Sequence, residues 1–578
     1  MLIKNFIFSL LILFSFCSAI KSSPKDNIQP DSVHIKKLID NIHNFEITFY
    51  NSDKIDSSDF KEGIKNFNNL IGLFISLDSQ YPDSNFNNKA FVYLEKKKNL
   101  EILNLYKTSS QQLGINNRAN KTFRISMLKD SSKISDTGKN LLFFMKQPVD
   151  VSDLQKNFLN DHEAIVDFWI QKNKIFVFIL TEDSLQLVNW DIPVDQVKVK
   201  INKLISPFYN NIDLLQLEFN TKVTFQLYNY LFQPLVENIQ NYKEIYIIPD
   251  DFLIGFPFEL LVTDTTIYEK QNHKIYYHHY SYLDFLIKKY AISYNYSTAY
   301  FAMVKGLDRT TKKLGRRLLT MSEPIIPQNM SELSCQLETF PIHDLVNSDY
   351  SNDEIRRVSR LLFRHDNLKQ EQVTKTYLFE NGRTYRWLYF ALPGILDNLN
   401  PMDSGLLFST NKNDSLFMSN WLSAHESIQF NLAADLLSLS ATKLRSFDSD
   451  KNPGVIALPQ AFLCSGVKSV LYSLWRINSI STSQFMSKFY WELKYKRQTN
   501  ARALQEAKIA SMKDTFTFSG KEISRAHPYF WATFQLIGDP KIRPPSPTKI
   551  PPWGVVIIVY VMVFMISLYI TRKTLPER

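Results

Sequence analysis

Arg386-Trp-Leu-Tyr-Phe-Ala-Leu-Pro-Gly394 is an apolar, β-prone run that ends on proline and glycine. It reads as a buried strand running into a glycine turn. A second such strand, Asp435-Leu-Leu-Ser-Leu-Ser-Ala-Thr442, follows after one intervening segment. Apolar runs of this length suit strands covered on both faces by helices. Working outward, Lys174-Ile-Phe-Val-Phe-Ile-Leu180 and Glu244-Ile-Tyr-Ile-Ile248 have the same character. Between them Phe225 to Leu235 reads as a helix approaching the sheet. Strands alternating with helices predict an α/β fold from about Val149 to 545.

Ahead of that sheet the period changes to that of helices. Val33, Ile35, Leu38, Ile39, Ile42 and Phe45 recur at helical spacing, with Asp31 or Ser32 as a cap. Phe60, Ile64, Phe67, Ile71 and Phe74 mark a second helix behind Ser57-Ser58-Asp59, and Tyr81-Pro82-Asp83 breaks it. Phe91, Leu94 and Ile102 mark a third, from about Asn87 to Tyr106. Residues 20–148 are therefore expected to be a helical region, although no 34-residue self-similarity fixes a repeat count.

Beyond the second strand an ordered series of motifs continues. It comprises Ala461-Phe-Leu-Cys-Ser-Gly-Val-Lys-Ser-Val-Leu-Tyr-Ser-Leu-Trp475, Phe489-Tyr490, Ala503-Leu-Gln-Glu-Ala507 and His527-Pro-Tyr-Phe-Trp-Ala-Thr-Phe-Gln-Leu-Ile-Gly-Asp539. In the amino half, Ile248-Pro-Asp-Asp-Phe-Leu-Ile-Gly-Phe-Pro-Phe-Glu-Leu-Leu261 and Tyr290-Ala-Ile-Ser-Tyr294 extend it. Together these motifs resemble the CHAT family, caspase-like cysteine peptidase domains often found beside tetratricopeptide-type helical arrays. The resemblance covers about residues 150 to 545 and implies a caspase-like sheet flanked by helices, with a degenerate repeat array as one reading of the helices before it.

The same resemblance locates a Cys/His dyad and finds both positions replaced. The family's first strand normally ends in His-Gly and its second in Ser-Ala-Cys; here Pro393 stands at the histidine position and Thr442 at the cysteine position. A thiol is partly ionised near neutral pH, more so beside an imidazole, whereas a threonine hydroxyl needs a base during attack. Proline has no side-chain proton acceptor. Asn452-Pro453 stands where the family usually has Gly-Glu, and Ser479 where it usually has an aspartate. Gly394, Ser404, Leu407, Trp475 and Gly538-Asp539 keep their expected places. The implied site is a vestigial dyad at Pro393 and Thr442, with the Gly394 and Thr442 amides as a former oxyanion hole able to hold a carbonyl without turning it over. Among the histidines of the carboxyl half, His527 reads as packing and His425 as exposed on a helix. Ser438 and Ser440 read as hydrogen-bonded strand residues.

Composition agrees with an ordered globular chain. Of 578 residues, 44% are apolar and 14% aromatic, with only 15 glycines. The three cysteines (Cys17, Cys335 and Cys464) supply neither a disulfide framework nor metal-ligand spacing, and Cys464 reads as a small buried hydrophobe. Neither a phosphate loop nor a Gly-x-Ser-x-Gly elbow occurs, so no cofactor is expected. The net charge of +10 is spread along the chain; its densest run, Lys305 to Arg317, lacks interleaved aromatics and reads as a solvated surface rather than a nucleic-acid site.

Both ends carry apolar runs. Met1 to Ala19 has the charge, apolar core and small-residue end of a secretory signal. Trp553 to Thr571 is uncharged and apolar, follows five prolines between Pro544 and Pro552, and precedes Arg572 and Lys573. It predicts one transmembrane helix, with a cytoplasmic tail at 572–578 and the bulk of the chain periplasmic or extracellular. The expectation from sequence is a membrane-anchored pseudo-peptidase that binds a protein or peptide. The rival expectation is an active peptidase or amidase using Thr442 or an unrecognised nucleophile.

Overall fold

The computed structural model describes residues 29–52, 56–112, 149–209, 213–264, 278–298, 300–301, 317–325, 332–335, 338–341, 351–361, 364–409, 420–440, 442–444, 452–544 and 560–567. They fall into two units, Met1–Ile542 and Arg543–Arg578.

The first unit opens with helices α1 (Gln29–Asn51), α2 (Ser57–Gln80) and α3 (Phe86–Gln112). The second and third match the sequence expectation closely. Asp56 caps α2 by accepting from the Ser58 amide, and Pro82 starts the 3-10 turn that ends the run. The α/β part then supplies β1 (Glu163–Gln171), β2 (Lys174–Leu180), β3 (Leu185–Asp191), β4 (Glu244–Ile248), β5 (Ala291–Tyr294), β6 (Arg317–Ser322), β7 (Arg364–Lys369) and β8 (Trp387–Ala391). It continues with β9 (Gly394–Leu396), β10 (Gly405–Leu407), β11 (Trp421–Ser423), β12 (Leu436–Leu439), β13 (Thr442–Leu444), β14 (Ser469–Ser473), β15 (Thr515–Phe518), β16 (Lys521–Ser524) and β17 (Phe534–Gly538).

Among the described residues eleven strands form one mixed sheet in the order β3-β2-β1-β4-β5-β17-β14-β12-β8-β6-β7. The block β14-β12-β8-β6-β7 is parallel throughout, and β17 runs antiparallel to β14. β4, β8, β12, β14 and β17 are buried along their whole length, which is why they read as unbroken apolar runs. Helix Pro453–Cys464 is buried nearly all round beneath β14 and starts on a proline, as an apolar core helix does. Cys464 is buried, in keeping with its reading as a packing residue.

The helical region is bolted to the sheet through buried charges on α3. Lys98 forms an ion pair with Asp167 of β1 and donates to the Phe168 carbonyl at 2.8 Å. Glu95 accepts from the Thr298 amide and hydroxyl, both at 2.6 Å, and from the Ser297 hydroxyl at 3.0 Å. Lys97 lies 3.9 Å from Asp250, whose carboxylate accepts from the Ile170 amide. Apolar contacts complete the joint, with the Phe91 and Phe178 ring centroids 5.6 Å apart.

The carboxyl end corrects the membrane assignment. No helix among the described residues is long and apolar enough to cross a membrane. Within 553–571 the described helix covers 560–567, a rise of about 12 Å against a hydrocarbon core of about 30 Å. The expectation rested on uncharged composition alone, whereas a span needs an apolar helix of about 20 residues, which the described residues do not contain. The single-pass placement, with its outer bulk and cytoplasmic tail, therefore falls. The rest of that run, the leader at 1–19 and most of the basic run 305–317 lie outside the described residues.

Candidate functional site

The positions singled out by sequence come together at the carboxyl ends of β8 and β12, the edge of an open α/β sheet where ligands usually bind. These strands are parallel neighbours in the register Trp387↔Leu436 to Phe390↔Leu439. After Leu392-Pro393 the chain does not turn away, as the glycine suggested. It forms β9, the centre of a small sheet ordered β11-β10-β9-β13. In that sheet Gly394 is the register partner of Thr442 on one side and of Leu406 on the other. Pro393 is buried, and its carbonyl accepts from the Leu407 amide at 2.8 Å. The two positions that the resemblance assigns to a dyad thus lie at one strand pair, and neither carries an imidazole or a thiol. Only the Thr442 backbone is described.

Close packing shapes this edge. A side chain at Gly454 would place its Cβ 2.4 Å from the Asp397 carbonyl oxygen, so the helix behind β9 can approach only because that residue is glycine. The Asp397 carboxylate accepts from the Leu399 amide at 2.8 Å, and its own amide donates to the Ser404 hydroxyl at 2.8 Å. Asn452, one of the departures from the family's pattern, and Asn478, the neighbour of another, serve the scaffold. Asn452 is fully buried, accepts from the Asn398 side chain at 2.8 Å and donates to the Ile254 carbonyl at 3.1 Å. Asn478 caps helix Ser479–Trp491 by accepting from the Ser481 amide at 2.8 Å.

The described histidines are placed away from Thr442. His425 is buried rather than exposed, because the short helix Ala424–Ser427 is tucked under the small sheet by the Ala424 amide bonding to the Ser404 carbonyl. It follows β11, three strand spacings from β13, or roughly 14 Å. His365 registers with Leu318, and Leu318 with Trp387, at the opposite end of β8 from Pro393. His527 is fully buried in a cage of Phe208, Phe219, His278 and Tyr280, and its Nδ1 accepts from the Tyr529 amide at 3.0 Å. Burial, reinforced by His278, pushes its imidazole well below the usual range and keeps it neutral.

Sequence reading passed over one titratable group behind this edge. Glu354, on helix Ser351–Leu361, is buried, and its carboxyl accepts from the Tyr389 hydroxyl. Burial raises its pKa to about 7, against the opposing pull of the Tyr389 and Ser440 hydroxyls. Ser440 faces the carboxyl without a well-aligned hydrogen bond, two residues before Thr442. Tyr389 pairs in register with Ser438, whose hydroxyl lies 2.9 Å from that of Tyr490. The available signal was the polar Tyr389 and Ser438 at the centre of otherwise apolar strands, which demands buried partners.

Comparison with known proteins agrees with this architecture. The CHAT domain profile matches residues 221–539, more than half of the chain. Tetratricopeptide repeat protein 28 of Homo sapiens is 35% identical over 94 residues, which is 16% of this chain and 3% of that protein. The Mus musculus protein of the same name is 32% identical over 123 residues, 20% of this chain and 5% of the relative. The chain therefore spans only a small part of the length of these relatives. Two crystal structures of the Saccharomyces cerevisiae separase–securin complex align at 10% identity, with TM-scores of 0.42 and 0.38. They cover 88% and 87% of this chain and 40% of each matched chain. With its profile, its ordered motifs and its mixed sheet, the chain belongs to the peptidase-like CHAT domain family.

Proposed function

We propose that this protein is a non-catalytic member of its family that binds a protein or peptide segment at the Pro393–Gly394/Thr442 edge. The observation that carries the reading is that Thr442 pairs in register with Gly394, directly after Pro393, so that proline and threonine stand where the dyad is expected. Acyl transfer of the family's kind lacks its thiolate and its imidazole here. The use of Asn452, where the family usually has glycine, in scaffold hydrogen bonding supports the same view.

A second reading is favoured by one observation. Glu354, raised by burial to about 7 and facing Ser440 two residues before Thr442, is a candidate base for a hydroxyl nucleophile. Hydrolysis of a peptide library by the full chain, beside Thr442→Ala and Glu354→Gln, separates the two. The expected result is no turnover by any of the three, with library peptides retained on immobilised wild-type protein. Cleavage that disappears in Thr442→Ala would make the protein an enzyme and overturn the proposal. Retention of no peptide would remove the binding role.

A further inference from the structure

Two carboxyl groups meet in the joint between α3 and the sheet, both sealed from solvent. They belong to Glu95 on α3 and Asp167 on β1, each fully buried. One oxygen of Glu95, Oε2, takes three donors, the Thr298 amide and hydroxyl at 2.6 Å and the Ser297 hydroxyl at 3.0 Å. One oxygen of Asp167, Oδ1, takes the Lys98 ammonium. The other two, Glu95 Oε1 and Asp167 Oδ2, are buried with no donor. Lys98 lies three residues beyond Glu95 on the same face of α3. The Asp167 carboxyl it pairs with is therefore also within hydrogen-bonding reach of Glu95.

Ionised carboxylates only accept, so these two oxygens cannot satisfy each other. A third orphan beside them, Asn99 Nδ2, has a simple remedy. The Asn99 Oδ1 lies 2.5 Å from the Ser297 hydroxyl, and turning the amide over lets Nδ2 donate there. No rotation helps a pair of acceptors. One proton between them does, because it makes one oxygen a donor and removes one of two like charges from a dry site. The surrounding charges favour it. Lys97, Lys98 and Glu101 face the joint from α3, and Asp250 and Asp251 from the turn after β4. With Glu95 and Asp167 both ionised, five acids would stand against two cations. Burial holds the Asp167 carboxyl well above its ordinary range; Lys98 opposes this and Glu95 adds to it.

We propose that Glu95 and Asp167 hold one proton between them, and that this proton latches α3 to the sheet, so that the helical region is gripped in acid and loosened as pH rises. When the joint opens, water reaches the pair, the shared O–H bond breaks and the proton passes to solvent. The closed joint thus holds a proton that the open joint gives up. Above the ordinary carboxyl pKa each unit of pH favours opening by up to about 10-fold, until the closed joint loses the proton as well.

The test is hydrogen exchange of the full chain, read by mass spectrometry at the α3 amides from about pH 5 to about pH 9. Wild type is compared with Asp167→Asn, whose Nδ2 can donate to Glu95 Oε1 at every pH while its oxygen still faces Lys98. Glu95→Gln supplies the donor from the other side and serves if the first variant folds poorly. Taking the ratio of protection in wild type to that in the variant cancels intrinsic exchange and Glu354, which both proteins share. The expected result is a ratio for α3 that falls with rising pH by up to about 10-fold per unit, while the ratio for β14 stays level. A level ratio for α3 would overturn the proposal, as would an equal fall in β14, which would place the effect in the whole fold. Loss of α3 protection in both variants at every pH would also overturn it, by showing that both carboxylates are ionised in the closed joint.

Discussion

Asp167→Ala is expected to destabilise the protein by about 3–5 kcal/mol, the cost of stranding one partner of a buried ion pair. Asp167 is completely buried in β1, and its carboxylate faces Lys98, itself 4% exposed. Without it, the ammonium keeps only the Phe168 carbonyl at 2.8 Å. Glu95 is the nearest acid able to substitute, but it is committed to Ser297 and Thr298. The control is the double variant Asp167→Leu with Lys98→Met, which removes both charges and should recover most of the loss. Urea unfolding followed through the tryptophan signal measures both. A single variant less than about 1 kcal/mol below wild type would mean that the pair does not hold α3 to the sheet.

The second large effect is on pH. Burial raises the Glu354 carboxyl to about 7 in the folded chain, against an ordinary value of 4.5. Between these values the native state binds more protons than the unfolded chain, so stability falls as pH rises. The protein is favoured most below the unfolded pKa, and the whole penalty, about 3 kcal/mol, is in force above pH 7. Glu354→Gln is neutral at every pH and can still accept from the Tyr389 hydroxyl. The variant should therefore match wild type near pH 4 and exceed its stability by up to about 3 kcal/mol at pH 8. Other buried acids, including Asp167 and Asp539, are also raised by burial, so the difference between the two curves is the quantity that isolates Glu354. Parallel curves for the two proteins would show that Glu354 is ionised at no unusual cost.

Much of this architecture was legible because burial on both faces leaves a simple mark. The strands Lys174–Leu180 and Glu244–Ile248 coincide with the runs read from sequence, since nothing polar interrupts them. The neighbouring strand Glu163–Gln171 escaped notice although eight of its nine residues are buried. Its Asp167 looks like a surface residue until Lys98 arrives from α3. The edge strand Leu185–Asp191 was silent for the opposite reason, being half exposed with a mixed composition. Of the positions singled out at the candidate site, Pro393, Gly394 and Thr442, strand register joins the last two. What sequence could not supply was the continuation of the chain past Gly394 as a strand, or the burial of His425, because both depend on partners far along the chain. Glu354 was hidden in the same way, a charged residue on a polar-looking helix whose inner face only the fold reveals.

The polar bolts on α3 bear on how such a protein could be rearranged. Helices that stack by apolar faces alone can be exchanged between proteins, because any oily surface accepts another. Glu95, Lys97 and Lys98 instead match individual groups on the sheet, namely Thr298, Asp250 and Asp167. A foreign helix laid in the same groove would leave those groups mute and dry. Grafting this sheet onto a different helical neighbour therefore requires carrying α3 along with it. A pull applied to α1 by a bound partner would likewise arrive at β1 as a strain on charges rather than slide off along a greasy seam.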